Sequence, residues 1–157
     1  MTTSIRRATA ADVPIITVHR RAMFEEIGGT DRAALDRMDE RFPDWLRGRI
    51  ENGEYRGWLV TREDSTVVAG VGLWLQVNLP SPRDQSAQRV YVLNVYTHPD
   101  HRRQGHARRQ MNTVIEWCRE QGIRTVMLHA SDAGRALYES MGFRQTNEMR
   151  ILLSANE

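Results

Sequence analysis

Arg102-Arg103-Gln104-Gly105-His106-Ala107 is the stretch on which the reading of this chain turns. It follows a run that reads as a strand, Arg89 to Thr97, stopped by His98-Pro99-Asp100. It opens a run that reads as a helix, with Ala107, Met111, Val114, Ile115 and Cys118 on one face and Gly122 as its end. A helix start leaves several backbone N–H groups without partners and carries a partial positive charge. A diphosphate placed there satisfies both. Gly105 lets the backbone approach such a group and take up turn angles closed to other residues. Ala107 keeps the first turn slim, Arg102 and Arg103 add charge, and Gln104 and His106 complete the contact surface. A glycine after arginines is, by itself, better explained as a solvated basic helix start. The spacing R-x-x-G-x-A directly after a strand is more specific.

Upstream, Ile5 to Thr9 reads as a short strand, and Thr9 with Asp12 as a capping box. Val13, Ile16, Met23, Phe24 and Ile27 then mark a helix ended by Gly28-Gly29. Leu35 and Met38 continue helical spacing, and Pro43 is expected to open a further helix carrying Trp45, Leu46 and Ile50. Strands follow over Gly57–Thr61 and Thr66–Val77, the second apolar enough to be buried on both faces. Leu79 to Gln88, with Pro80 and Pro82 among polar residues, is a loop. In the next strand, strict alternation puts Val90, Val92, Asn94 and Tyr96 on one face and Tyr91, Leu93, Val95 and Thr97 on the other. Downstream, Thr125–His129 is a strand, Ala133–Met141 a short helix, and Phe143 to Leu153 one or two closing strands. The order is β-α-α-β-β-β-α-β-α-β(β), an α/β mixed sheet with helices on both faces.

A length of 157 residues, 40% hydrophobic and 27% charged, fits one domain over residues 1–157 and excludes a disordered chain. No apolar stretch approaches the roughly 18 residues of a membrane span, and the first residues lack a secretion signal, so the expected location is cytoplasmic, with no membrane partner. Cys118 is the one cysteine and sits on an apolar stripe; no histidine pair has metal-site spacing, so no metal is expected. The net charge of +2 does not favour nucleic acid. All 22 basic residues are Arg, so no lysine side chain exists to be modified.

The turn resembles the acetyl-CoA signature, Q/R-x-x-G-x-G/A, of the GCN5-related N-acetyltransferases, the GNAT family. The segment Ser131-Asp132-Ala133-Gly134-Arg135-Ala136-Leu137-Tyr138-Glu139-Ser140-Met141-Gly142-Phe143 resembles the family's later motif. There an Asn begins a short helix ending in Leu-Tyr, followed by Gly-Phe. Leu137, Tyr138, Gly142 and Phe143 match; Ser131 replaces the Asn, and Gly134 the usual Ala.

The resemblance implies a central, mostly antiparallel mixed sheet and transfer of an acetyl group from acetyl-CoA to a primary amine by direct attack. It implies a bulge in the fourth strand that opens room for the pantetheine arm beside Val95, Tyr96 and Thr97. A backbone N–H near Val95 would polarise the thioester carbonyl. Cofactor contacts fall to Arg102, Arg103, Gln104, Gly105, His106 and Ala107, and to Ser131, Gly134 and Arg135. Tyr138 occupies the position of the general acid. A phenol pKa of about 10 against a thiol near 8.5 makes full proton transfer uphill by roughly 2 kcal/mol, so a hydrogen bond to the thiolate is the easier role. Leu93 stands where many relatives carry a basic Glu, which leaves Asn94, Tyr91, Glu25 and Glu26 as candidates to orient or deprotonate the amine. The expected acceptor is a small or amino-acid-like amine. A peptide or protein amine is the alternative, as is a non-catalytic acyl-CoA sensor that lacks the base. Homodimers are common in the family.

Overall fold

The computed structural model describes residues 2–155, so the outermost ends of the expected domain lie outside the described residues. The apolar runs around Trp58 and Val71 form the two central strands of one sheet, ordered β1 (Thr3–Arg7), β2 (Tyr55–Arg62), β3 (Val67–Val77), β4 (Gln88–Thr97), β5 (Val126–Leu128). The first four pair antiparallel, and β5 joins β4 in parallel. Helices α1 (Val13–Ile27) and α2 (Arg32–Glu51) cover one face; α3 (His106–Glu120) and α4 (Asp132–Ser140) cover the other. Two apolar clusters result. Val71, Leu73, Val90 and Val92 meet Met111, Val114, Cys118 and Tyr138 on the α3 side. Tyr55 and Leu59 meet Val13, Ile16, Phe42 and Leu46 on the α1–α2 side.

The mixed, mostly antiparallel sheet flanked by helices is the expected class. The capping box forms as read: Thr9 accepts at its side chain from Ala11 N, Thr9 N donates to the Asp12 carboxylate at 2.8 Å, and Arg6 binds that carboxylate at 2.7 and 2.9 Å. Three expectations need correction. Pro43 does not open a helix but lies inside α2, because the buried stripe Leu35, Phe42, Leu46 runs through it without a break. The closing strands over Phe143 to Leu153 are not formed among the described residues. The polar run Arg144 to Glu148 has no apolar face to bury, β5 offers an edge of only three residues, and Met149, Ile151, Leu152 and Leu153 stay exposed. The alternation in β4 breaks at Asn94, for the following reason.

Between β3 and β4 the register steps from Gly70↔Tyr96 to Gly72↔Leu93, so Val71 faces two residues, Asn94 and Val95. Asn94 takes a left-handed φ of 57°, which Asn tolerates better than most residues. Leu93, Asn94 and Tyr96 therefore all face α1, while Val92 and Val95 face α3. The bulge brings two β3 amides within reach of a side chain from α3. Fully buried Gln110 of α3 answers them: in the amide orientation that satisfies both, its oxygen accepts from Gly70 N at 2.9 Å and Val71 N at 3.3 Å. On the opposite face, the His19 ring of α1 stacks on Tyr96 with centroids 4.5 Å apart and presses on Gly70, where an added Cβ would lie 3.0 Å from Nδ1.

Two stability predictions follow from this packing. Gln110→Leu orphans two buried N–H groups, each costing about 1–3 kcal/mol; the urea midpoint should fall sharply, and an unchanged midpoint would contradict the proposed support of the bulge. Burial pushes the His19 imidazole down to about 4, with His98 nearby acting in the same direction. The unfolded chain takes up this proton near 6.5 and the folded chain only near 4, so the stability is complete above pH 6.5 and lost as pH falls toward 4. His19→Phe should flatten that slope, leaving the smaller share of His106, which burial also lowers; a slope identical to wild type would refute the assignment.

Candidate active site

The turn after β4 is built from alternating backbone hands. Arg103 has φ 59° and Gly105, the N-cap of α3, φ 80°. The first amide of the helix region with a backbone acceptor is Arg109 N, bonded to Gly105 O at 3.0 Å. The N–H groups of residues 103–108 have no backbone acceptor among the described residues. Such a concave run of free amides at a helix start is an anion site. Arg103, Gln104 and Gly105 are exposed and Ala107 half-buried, so the backbone is approachable. The His106 ring is buried, its Nε2 has no partner, and burial lowers its pKa. Its contribution to an anion is therefore its amide rather than a charged ring.

Arg102 does not point into the turn. Its Nε donates to Thr97 O at 3.0 Å, and one terminal nitrogen binds the Glu26 carboxylate at the end of α1. Glu26 is thus tied to the turn rather than placed beside Leu93. Glu25 is drawn away too, onto Arg21 at 2.7 Å.

Pairing of β4 with β5 stops at Val92↔Leu128, whereas β4 continues to Thr97. From Leu93 onward the β5-facing edge of β4 is open, with Val95, Tyr96 and Thr97 along it. Asn94 lies buried at the start of this opening. Its Oδ1 accepts from Arg20 Nη1 at 3.0 Å and its Nδ2 donates to the Tyr55 hydroxyl at 3.4 Å, so both ends of the amide are engaged. Leu93 packs in the α1–α2 cluster.

Helix α4 flanks the opening from the α3 side. Ser131 caps it, its Oγ accepting from Gly134 N at 3.1 Å, which leaves the hydroxyl proton available to a ligand. Tyr138 is buried in the cluster that also holds Val92 and Val95, with Phe143 edge-on at 5.9 Å. Its hydroxyl has no hydrogen-bond partner among the described residues, and burial raises its pKa. The substitution of Gly134 for Ala has a steric reason: a Cβ there would lie 2.8 Å from the Tyr138 ring. Arg135 is exposed on the outer side of α4. An open concavity of about 440 Å³ runs between α3 and α4, lined by Arg108, Asn112, Ile115, Glu116, Arg119 and Met141, with Arg108 bonded to Ser140 at 2.7 Å.

On the α1 side of the opening, Arg150 Nη2 donates to His129 Nε2 at 2.7 Å. Nη2 also lies 3.4 Å from His129 Nδ1, which is 2.9 Å from the Tyr91 hydroxyl, so Tyr91, His129 and Arg150 form one polar chain. The loop Leu79–Gln88 is fastened beside this edge by Asp84, which accepts from Ser86 and from Thr125 and is held at about 2 by those bonds. Sequence reading missed Gln110, His19 and Arg20. A signal existed for two of them: Gln110 falls within the apolar stripe of α3, and Arg20 lies four residues from both Ile16 and Phe24 on the stripe of α1.

Residues 20–143 match the Acetyltransferase (GNAT) family. The solved structure of a GCN5-related N-acetyltransferase from Ralstonia eutropha superposes with a TM-score of 0.91 at 35% identity, covering 97% of this chain and 99% of that one. A predicted acetyltransferase from Clostridium acetobutylicum, solved with acetyl-CoA, has a TM-score of 0.88 at 22% identity over 97% of this chain and 96% of that one, a likeness of fold. Human N-acetyltransferase 8 is 34% identical over 94 residues, 58% of this chain; the chain spans 39% of that relative's length. The turn of free amides after β4, the bulged fourth strand and these likenesses agree: the chain belongs to the acetyltransferase (GNAT) family.

Proposed function

We propose that the protein transfers the acetyl group of acetyl-CoA to the primary amine of a small, amino-acid-like acceptor. One observation carries this reading: the free amides of residues 103–108 lead directly into the open edge of β4. A diphosphate and an extended arm fit these two features in sequence. Acetyl-CoA supplies an acetyl thioester, whose carbonyl carbon the amine nitrogen attacks as the thiolate leaves.

The turn amides and Arg103 hold the diphosphate. The β4 edge at Val95 to Thr97, with the Ser131 hydroxyl, lines the arm. The Val95 N–H is the donor for the carbonyl oxygen as negative charge gathers there. Tyr138 keeps its proton at neutral pH, because burial raises its pKa, and donates a hydrogen bond to the departing sulfur. Leu93 cannot accept a proton, so the amine enters in its neutral form. About 1 in 10³ of an alkylamine with a pKa near 10.4 is neutral at pH 7, and the apolar wall of Leu93 favours that fraction. Glu26 restrains Arg102 next to the diphosphate site. A second reading, a non-catalytic acyl-CoA sensor, is favoured only by Leu93.

Release of free CoA thiol from acetyl-CoA in the presence of a panel of primary amines tests the proposal. Turnover with at least one small amine is expected; tight acetyl-CoA binding with no release on any amine or peptide would favour the sensor. Tyr138→Phe should lower kcat by tenfold or more with little change in acetyl-CoA affinity. Gly134→Ala, whose Cβ would press on the Tyr138 ring at 2.8 Å and on the capping Ser131 Oγ at 3.2 Å, should also lower kcat. Unchanged turnover in both would make Tyr138 a packing residue.

A further inference from the structure

Arg20 and Arg21 are neighbours in α1 with opposite surroundings. Arg21 binds three carboxylates, Glu25, Asp36 and Asp39, each at 2.7 Å. Arg20 binds none among the described residues. Its guanidinium lies between two rings, 5.2 Å from the centroid of Phe24 and 4.9 Å from that of Phe42. Nη1 donates to Asn94 Oδ1 at 3.0 Å, Nε is buried without a partner, and Nη2 makes no hydrogen bond. The ionisable groups close to it are the phenols of Tyr55 and Tyr91, both uncharged at neutral pH. Beyond Tyr91 stand Glu148 and Arg150, whose charges offset one another.

A guanidinium held in such surroundings without a counter-charge is costly unless an anion comes to it. Its place says which anion. Asn94, which it grips, precedes Val95, the donor assigned to the reacting carbonyl. An amine attacking at Val95 thus brings its own substituents toward Arg20. A guanidinium flanked by two aromatic rings, with Nη2 making no hydrogen bond among the described residues, suits one carboxylate of a bound molecule.

We propose that Arg20 binds a carboxylate of the acceptor, so that the substrate is a free amino acid acetylated on its amine. The assignment rests on the acetyl-transfer reading above and narrows it: a peptide or protein N-terminus has no carboxylate beside its amine.

The test compares CoA release with each of the twenty amino acids and its C-terminal amide. Removing the carboxylate lowers the amine's pKa, so without a carboxylate reader the amide is the better nucleophile. The expected result for the best amino acid is a kcat/KM about 10- to 100-fold above that of its amide, the range of a charged hydrogen bond. Arg20→Met should lower kcat/KM for the acid by more than for the amide, so that the acid-to-amide ratio falls to about one or below, while any loss shared by both substrates reports the bond to Asn94; Arg20→Lys should retain part of the preference. Equal or faster reaction of the amide with wild-type protein overturns the proposal while leaving acetyl transfer intact. An unchanged acid-to-amide ratio in Arg20→Met also overturns it, because the preference then does not come from Arg20. The wild-type comparison decides alone if Arg20→Met does not fold. Release with no amine at all removes acetyl transfer itself, and this assignment with it.

Discussion

The bulge at Asn94 is the constraint on which the site depends. A regular β4 would place Asn94 toward α3. The extra residue turns Asn94 toward α1 instead, and two side chains hold it there from opposite faces. Gln110 accepts the amides of Gly70 and Val71 from the α3 side. Arg20 and Tyr55 saturate the Asn94 amide from the α1 side. Buried polar groups of this kind are costly when unpaired and specific when satisfied. The same bulge ends the β4–β5 pairing at Val92, which opens the edge where an acyl-bearing arm can lie.

Charge is distributed around that opening with a clear division. The cofactor side is a backbone site, in which free amides carry the positive potential and the guanidinium of Arg102 is held aside by Glu26. The Glu26–Arg102 pair is half exposed, so its worth is at most about 1 kcal/mol, and an incoming diphosphate can compete for Arg102 at little cost. The side of the opening toward α1 carries Arg20, whose guanidinium binds no carboxylate among the described residues, the phenols of Tyr55 and Tyr91, and His129, held by Arg150. In the proposed mechanism, Leu93 stands where a base would act, so transfer relies on excluding water and orienting the amine more than on abstracting its proton.

Much of this was legible in the sequence, and the reasons are local. The turn at Gly105 and the helix after Ser131 are short-range features set by backbone conformation, and the residue pattern, together with its resemblance to the family's motifs, made them legible. Strands β2 to β4 follow from apolar patterning. The illegible parts depend on pairing between distant segments. Alternation in β4 cannot reveal a bulge whose partners are Val71 and Gln110. Pro43 reads as a helix start until the stripe around it is seen to be buried. The segment after Phe143 has enough apolar residues to read as strand, yet the edge available to it is only three residues long. Arg20 and Glu26 took their roles from neighbours 74 and 76 residues away, which no local pattern encodes.

The central claim is that the turn at residues 103–108 holds the diphosphate of acetyl-CoA, and thermal unfolding tests it most directly. A ligand at about 100 times its dissociation constant stabilises the folded state by about 2.7 kcal/mol. Wild-type protein should show a clear upward shift of its midpoint with acetyl-CoA and none with adenosine. Gly105→Asp, which sets a carboxylate against the diphosphate, should show no shift with either. No shift of the wild type at millimolar acetyl-CoA, or an undiminished shift in Gly105→Asp, would contradict the account.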